Sequence, residues 1–160
     1  MNECKRSENN WTRVAVFAGG DRGHYRTNFD CFVGVDRGSL WVLEEDLPLT
    51  LAVGDFDSVT AEERQVIQKR AQHFVQAQPE KDDTDLELAL LTIFEQNPQA
   101  QVTIFGALGG RIDHMLVNVF LPRNPKLAPY MRQIEIEDGQ NLLSYCPEGT
   151  SNYQDRKSVV

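Results

Sequence analysis

The sequence predicts an α/β fold with a mainly parallel sheet of about six strands and flanking helices, and three observations carry that expectation. Apolar, β-rich runs alternate along the chain with segments of helical spacing, the pattern of strand–helix–strand crossovers. The first runs, residues 14–18, 31–35 and 49–53, are continuously apolar rather than alternating, as expected of strands buried on both faces. With 160 residues, 41% of them apolar, the chain has the length for one substantial core and one principal domain.

Taken in order, residues 1–12 are polar and unpatterned and are expected to be a disordered terminal arm. Residues 14–18 form the first strand, closed by a tight turn at Gly19-Gly20-Asp21. Residues 31–35 form the second and end at Asp36-Arg37-Gly38, after which Leu40, Trp41, Leu43 and Glu44 have helical spacing. The third strand, 49–53, leads directly into Gly54-Asp55-Phe56-Asp57-Ser58. Thr60 with Glu63 three residues on is a capping-box signature, and Val66, Ile67, Ala71 and Phe74 follow at helical intervals. Residues 74–77 make a short fourth strand. A second capping box, Thr84 with Glu87, opens a helix through Leu86, Ala89, Leu90, Ile93 and Phe94. Residues 102–105 are the fifth strand, followed by the glycine-rich loop 106–114 and a helix through Val117 and Phe120. Residues 134–136 suggest a sixth strand and 142–145 a further one. The whole is Rossmann-like.

Charge and cysteine content narrow the function. A net charge of −8 without any basic run argues against nucleic acid as a partner, since backbone phosphates call for clustered Lys and Arg. A triphosphate that arrives with its own metal is compatible with an acidic site. Cys4, Cys31 and Cys146 are odd in number and far apart, which suggests neither a disulfide framework nor a zinc cluster and fits a reducing compartment. No leader and no run of membrane-spanning length is seen, so the expectation is a cytoplasmic protein without a membrane partner.

Asp36, Asp55, Asp57, the acidic stretch 81–85 and the loop 106–114 all follow strands, so they gather at one edge of the sheet, where open α/β folds bind ligands. Asp55 and Asp57 suit a hard divalent cation with oxygen ligands; an Asx-type turn is the alternative use of the same residues. Asp82, Asp83 and Asp85 suit a cation too, or simply the positive end of a helix. The loop 106–114 lacks the spacing of a P-loop or a dinucleotide fingerprint. It still offers glycines, the Arg111 fork and free helix amides to a phosphate, unless Arg111 pairs with Asp113. His114 reads by itself as a helix-face histidine.

Three motifs in this order, Gly54-Asp-Phe-Asp-Ser58, Lys81-Asp-Asp-Thr-Asp-Leu-Glu87 and Gly106-Ala-Leu-Gly-Gly-Arg-Ile-Asp-His114 with Asn118 beyond, resemble the catalytic domain of thiamine pyrophosphokinases. The resemblance implies transfer of a pyrophosphoryl group from ATP to the hydroxyl of thiamine, giving thiamine diphosphate and AMP, with Mg²⁺ and in a homodimer. It implies metal and phosphate roles for Asp55, Asp57, Asp82 and Asp85, with Arg111 assisting catalysis. Gly19, Gly20, Asp36, Thr84, Gly109, Gly110, Arg111, Asp113, His114 and Asn118 would line the nucleotide and substrate site. Residues 13–138 would then be the ATP-binding catalytic domain and 139–160 the start of a C-terminal thiamine-binding β-sandwich. Asp36-Arg37-Gly38-Ser39 departs from the more familiar Asp-Gly-Gly-Ala of that family. Two other readings stand beside it. Asp55-Phe-Asp-Ser-Val59 also resembles the nucleophile motif of haloacid-dehalogenase-type phosphatases, where it normally follows the first strand rather than the third. The second is a non-enzymatic nucleotide-binding module.

Overall fold

A computed structural model describes residues 10–20, 22–78 and 83–149. Seven strands form one sheet: β1 (Arg13–Phe17), β2 (Cys31–Val35), β3 (Leu51–Gly54), β4 (His73–Gln76), β5 (Gln101–Phe105), β6 (Ile134–Glu137) and β7 (Leu142–Ser144). Their order is β4-β3-β2-β1-β5-β6-β7. The first six are mutually parallel, and β7 runs antiparallel to β6 at the edge. The helices are α1 (Gly38–Glu44), α2 (Ala61–Arg70), α3 (Asp85–Gln96) and α4 (Ile112–Phe120), with two 3₁₀ turns at Leu121–Arg123 and Ala128–Gln133. The sheet therefore has seven strands where the sequence suggests about six. Residues 142–144, expected in a second domain, extend this sheet instead.

Side-chain alternation along the strands divides the core into two layers. Val14 and Val16 of β1, Val33 of β2 and Leu51 and Val53 of β3 face α3, packing with Leu86, Ala89, Leu90 and Ile93. Ala15, Phe17, Phe32 and Ala52 face the other way, against Trp41 and Val42 of α1 and Ile67 of α2. Every residue of β2 is buried, which explains its unbroken apolar run. Both tryptophans, Trp11 and Trp41, are buried in this packing.

The chain leaves β1 toward β2 on one side, whereas β5 pairs with β1 on the other, so the β1–β5 seam is the sheet's topological switch point. There the turn after β1 meets the turn after β5 so closely that a Cβ on Gly20 would lie 2.2 Å from the Gly106 carbonyl oxygen. Only glycine permits this approach, and it sets the floor of the crevice above the seam.

Candidate functional site

The site begins with two adjacent strand ends. Asp36 follows β2 in a left-handed conformation (φ 49°), one that Asp tolerates better than most residues. Its backbone N–H donates to the Val53 carbonyl at 2.9 Å, and its Oδ1 accepts from the Phe56 N–H at 3.0 Å. The carboxylate is thus clamped to the turn after β3. Gly54 makes room for it, since a Cβ there would stand 2.2 Å from Asp36 Oδ1. Asp55 follows, its Oδ1 accepting from the Asp57 N–H at 3.0 Å and its carbonyl from Gln76 Nε2 of β4 at 3.1 Å. Phe56 is left-handed as well (φ 59°), and its buried ring stacks on Phe74 at 4.9 Å. Arg37 joins the two loops from outside, Nη1 donating to the Ser58 carbonyl at 2.7 Å.

The third contribution comes from α3. Thr84 caps this helix, its hydroxyl accepting from the Glu87 N–H at 3.1 Å, and Asp85 is the first helical residue. One carboxylate oxygen each from Asp36, Asp55 and Asp85 lies within 4.8 Å of the others. Three partly buried acids so close together repel one another. Accordingly, burial first, and then Asp85 and Asp55, push the Asp36 carboxyl up to about 8, against the stabilising Phe56 N–H. Such a donor set fits a hard divalent cation. Carboxylate oxygens are its preferred ligands, it offsets the repulsion, and three ligands leave coordination positions for water or phosphate oxygens.

The acidic cluster opens into a cleft of about 640 Å³. Gly19, Gly20, Asp36 and Asp55 border it on one side, Thr84 and Asp85 at the end of α3, and Gly109, Gly110, Arg111, His114 and Asn118 on the other. Most residues expected to line a nucleotide site therefore surround one space. Asn118 also has a structural task, Nδ2 donating to the Ala107 carbonyl at 3.0 Å and tying α4 to the glycine loop. Arg111 donates through Nη2 to Asp113 Oδ2 at 2.7 Å, so the self-pairing alternative is the one seen, on the exposed rim of the cleft.

Two expected members stand apart. Asp57 does not join the three-carboxylate group; it is exposed and borders a separate groove over the start of α2. The turn at Phe56 is the reason, because a left-handed residue between the two acids breaks the extended geometry that puts residues i and i+2 on one side. Asp113, turned toward Arg111, is not among the residues bordering the cleft. Asp82 and Lys81 lie outside the described residues. Conversely, Asp36 is a full member of the cluster rather than only a nucleotide-lining residue. Its signal in the sequence was an acid ending the strand next to the one that carries Asp55. Asp83, to which the resemblance assigns no role, also borders the cleft.

Residues 23–132 match the family model of the thiamin pyrophosphokinase catalytic domain. The thiamine pyrophosphokinase of Bacillus subtilis (strain 168) is 37% identical over 143 residues, covering 85% of this chain and 65% of that protein. The crystal structure of a thiamin pyrophosphokinase family protein from Enterococcus faecalis superposes with a TM-score of 0.81 at 47% identity, covering 86% of this chain and 67% of that one. That of a thiamin pyrophosphokinase from Geobacillus thermodenitrificans gives 0.67 at 39% identity, with 83% and 62% covered. The chain thus spans about two thirds of the length of these relatives. On these matches the chain belongs to the thiamin pyrophosphokinase catalytic-domain family.

Proposed function

We propose that the protein is the catalytic part of an ATP:thiamine pyrophosphotransferase with Mg²⁺ as its cation. The observation that carries this reading is the meeting of Asp36 and Asp55, from two strand ends, with Asp85, from the start of α3, beside a glycine-rich phosphate cradle at the sheet's switch point. In the reaction the thiamine hydroxyl oxygen bonds to the β-phosphorus of ATP, the bond from that phosphorus to the bridging oxygen of the α-phosphate breaks, and AMP departs with the bridging oxygen. The hydroxyl proton is lost. A bound Mg²⁺ would neutralise the negative charge that gathers on the phosphoryl oxygens. The chain's own residues hold and orient: the three acids grip the cation, Gly109 and Gly110 let backbone amides approach the phosphates, and Arg111, once released from Asp113, supplies a fork to the oxygens. The roles at the cation that the resemblance implies for Asp57 and Asp82 are kept as part of this proposal, Asp57 acting from outside the three-acid group.

The homodimer is supported by an uncovered apolar stripe on α4, where Ile112, Leu116, Val117 and Phe120 are exposed beside the cleft. We read residues 13–138, with β7 added at the edge of the sheet, as the catalytic unit. No helix among the described residues is long and apolar enough to cross a membrane, and we place the protein in the cytoplasm.

The test is an assay of AMP release from ATP, with and without thiamine, on a chain extended to the relatives' full length. Thiamine-dependent AMP is expected, falling by about 10²–10³-fold in Asp85→Asn, the scale of losing one electrostatic stabiliser of a transition state. Hydrolysis of a generic phosphomonoester through an aspartyl-phosphate would replace the reading with a phosphatase. Tight ATP binding with no AMP would make the protein a binding module.

A further inference from the structure

The start of α3 is linked to the segment after α4 by two side-chain contacts. Asn124 Nδ2 donates to Glu87 Oε1 at 2.7 Å, and Lys126 Nζ lies 3.3 Å from Asp83 Oδ1. Asn124 uses its other amide atom as well, Oδ1 accepting from the Lys126 backbone N–H at 3.0 Å. One asparagine therefore shapes its own loop and grips the helix. The two gripped acids, Asp83 and Glu87, flank Asp85.

The behaviour of Glu87 shows that this link is more than chance packing. In α2 the Thr-x-x-Glu pattern closes a full capping box, with the Glu63 carboxylate accepting from the Thr60 N–H at 2.9 Å. In α3 the same pattern closes only the forward half: Thr84 accepts from the Glu87 N–H, while the Glu87 side chain turns inward to Asn124. Glu87 is only 4% exposed, and a carboxylate in that position is costly unless hydrogen-bonded. A local cap has been given up for a cross-link between α3, whose start borders the cleft, and the segment that follows α4. The Lys126–Asp83 pair is largely solvated on its lysine side, 58% exposed, and contributes little; the part-buried Asn124–Glu87 bond carries the link.

We propose that residues 121–127 act as a brace and that Asn124 is a positioning residue, holding the first turn of α3 so that Asp85 stays beside Asp36 and Asp55; the inference rests on the cation-site reading above. Groups that orient metal ligands from outside the coordination sphere commonly matter nearly as much as the ligands themselves. Asn124 is not among the residues bordering the cleft. It acts through the helix.

The experiment compares Asn124→Ala with Gln133→Ala, which removes a side chain bridging to the Pro98 and Ala100 carbonyls at 2.8 and 2.9 Å, away from the cleft. Two quantities are read: the Mn²⁺ dissociation constant in the presence of ATP, by electron paramagnetic resonance, and amide hydrogen exchange at residues 84–88. Asn124→Ala is expected to weaken Mn²⁺ about tenfold and to speed exchange at 84–88, whereas Gln133→Ala lowers the melting temperature and does neither. Glu87→Gln keeps an acceptor for Asn124 and stays close to the wild type. Asn124→Asp, isosteric but with a carboxylate facing Glu87, reproduces the loss should Asn124→Ala fail to fold. Unchanged affinity and exchange in folded Asn124 variants would overturn the brace and leave the cation site standing. A wild-type chain that binds no Mn²⁺ would overturn the cation site itself, and with it the brace.

Discussion

Asp36 is the residue in which the electrostatics of the site concentrate. Its carboxyl, raised from about 3.8 to about 8 by burial and by Asp85, holds a proton in the folded chain that the unfolded chain gives up. The stability associated with that proton is full below the unfolded value and is lost as pH rises through the folded one. Urea denaturation in EDTA should therefore show the wild type losing stability relative to Asp36→Asn between about pH 4 and pH 8, asparagine being chosen because it tolerates the left-handed backbone. Parallel pH profiles would contradict this. Ser39, where the family more familiarly has alanine, is fully buried against Gly34, and its hydroxyl has no partner among the described residues. Leaving a buried hydroxyl unpaired costs roughly 1–3 kcal/mol, so Ser39→Ala is expected to stabilise the fold by about 1 kcal/mol in the same assay; a loss of stability would show that the hydroxyl is satisfied.

Among the elements, α2 and α3 make an informative pair because each opens on Thr-x-x-Glu and only one reaches the site. Thr60→Ala and Thr84→Ala each remove an N-cap acceptor and should each cost about 1 kcal/mol in denaturant unfolding. Only Thr84→Ala should also weaken divalent-cation binding, because Asp85 is the residue that its cap sets in place. Equal effects on binding would mean that the start of α3 does not position the cation. What is legible in sequence at this scale is governed by the range of the interaction involved. The buried parallel strands announce themselves through continuous apolar runs, and the helix starts through their caps, because both are local. The diversion of Glu87 to Asn124, 37 residues on, is tertiary, and no spacing rule anticipates it. Asp57 fails to follow Asp55 into the cluster for a local reason that the sequence hides: Phe56 adopts a positive φ while its ring is pulled into the core against Phe74.

At the scale of the whole molecule, topology does the assembling. The order β4-β3-β2-β1-β5 brings the ends of β2 and β3 and the start of α3 together on one side of the seam and the glycine loop after β5 on the other, so residues spread over 18–118 border one cleft. That convergence is legible from the alternation of strands and helices alone. The placement of β7 is not, since a short antiparallel edge strand and the opening of another domain have the same local pattern.

The central claim is that Asp36, Asp55 and Asp85 jointly hold a divalent cation for a nucleotide's phosphates. Its most direct test is an anomalous difference map from crystals grown with Mn²⁺ and a non-hydrolysable ATP analogue. One strong peak bounded by oxygens of those three carboxylates, with analogue phosphates completing the coordination, is expected. A peak elsewhere, or phosphates bound in the cleft with no metal between them and the acids, would contradict it.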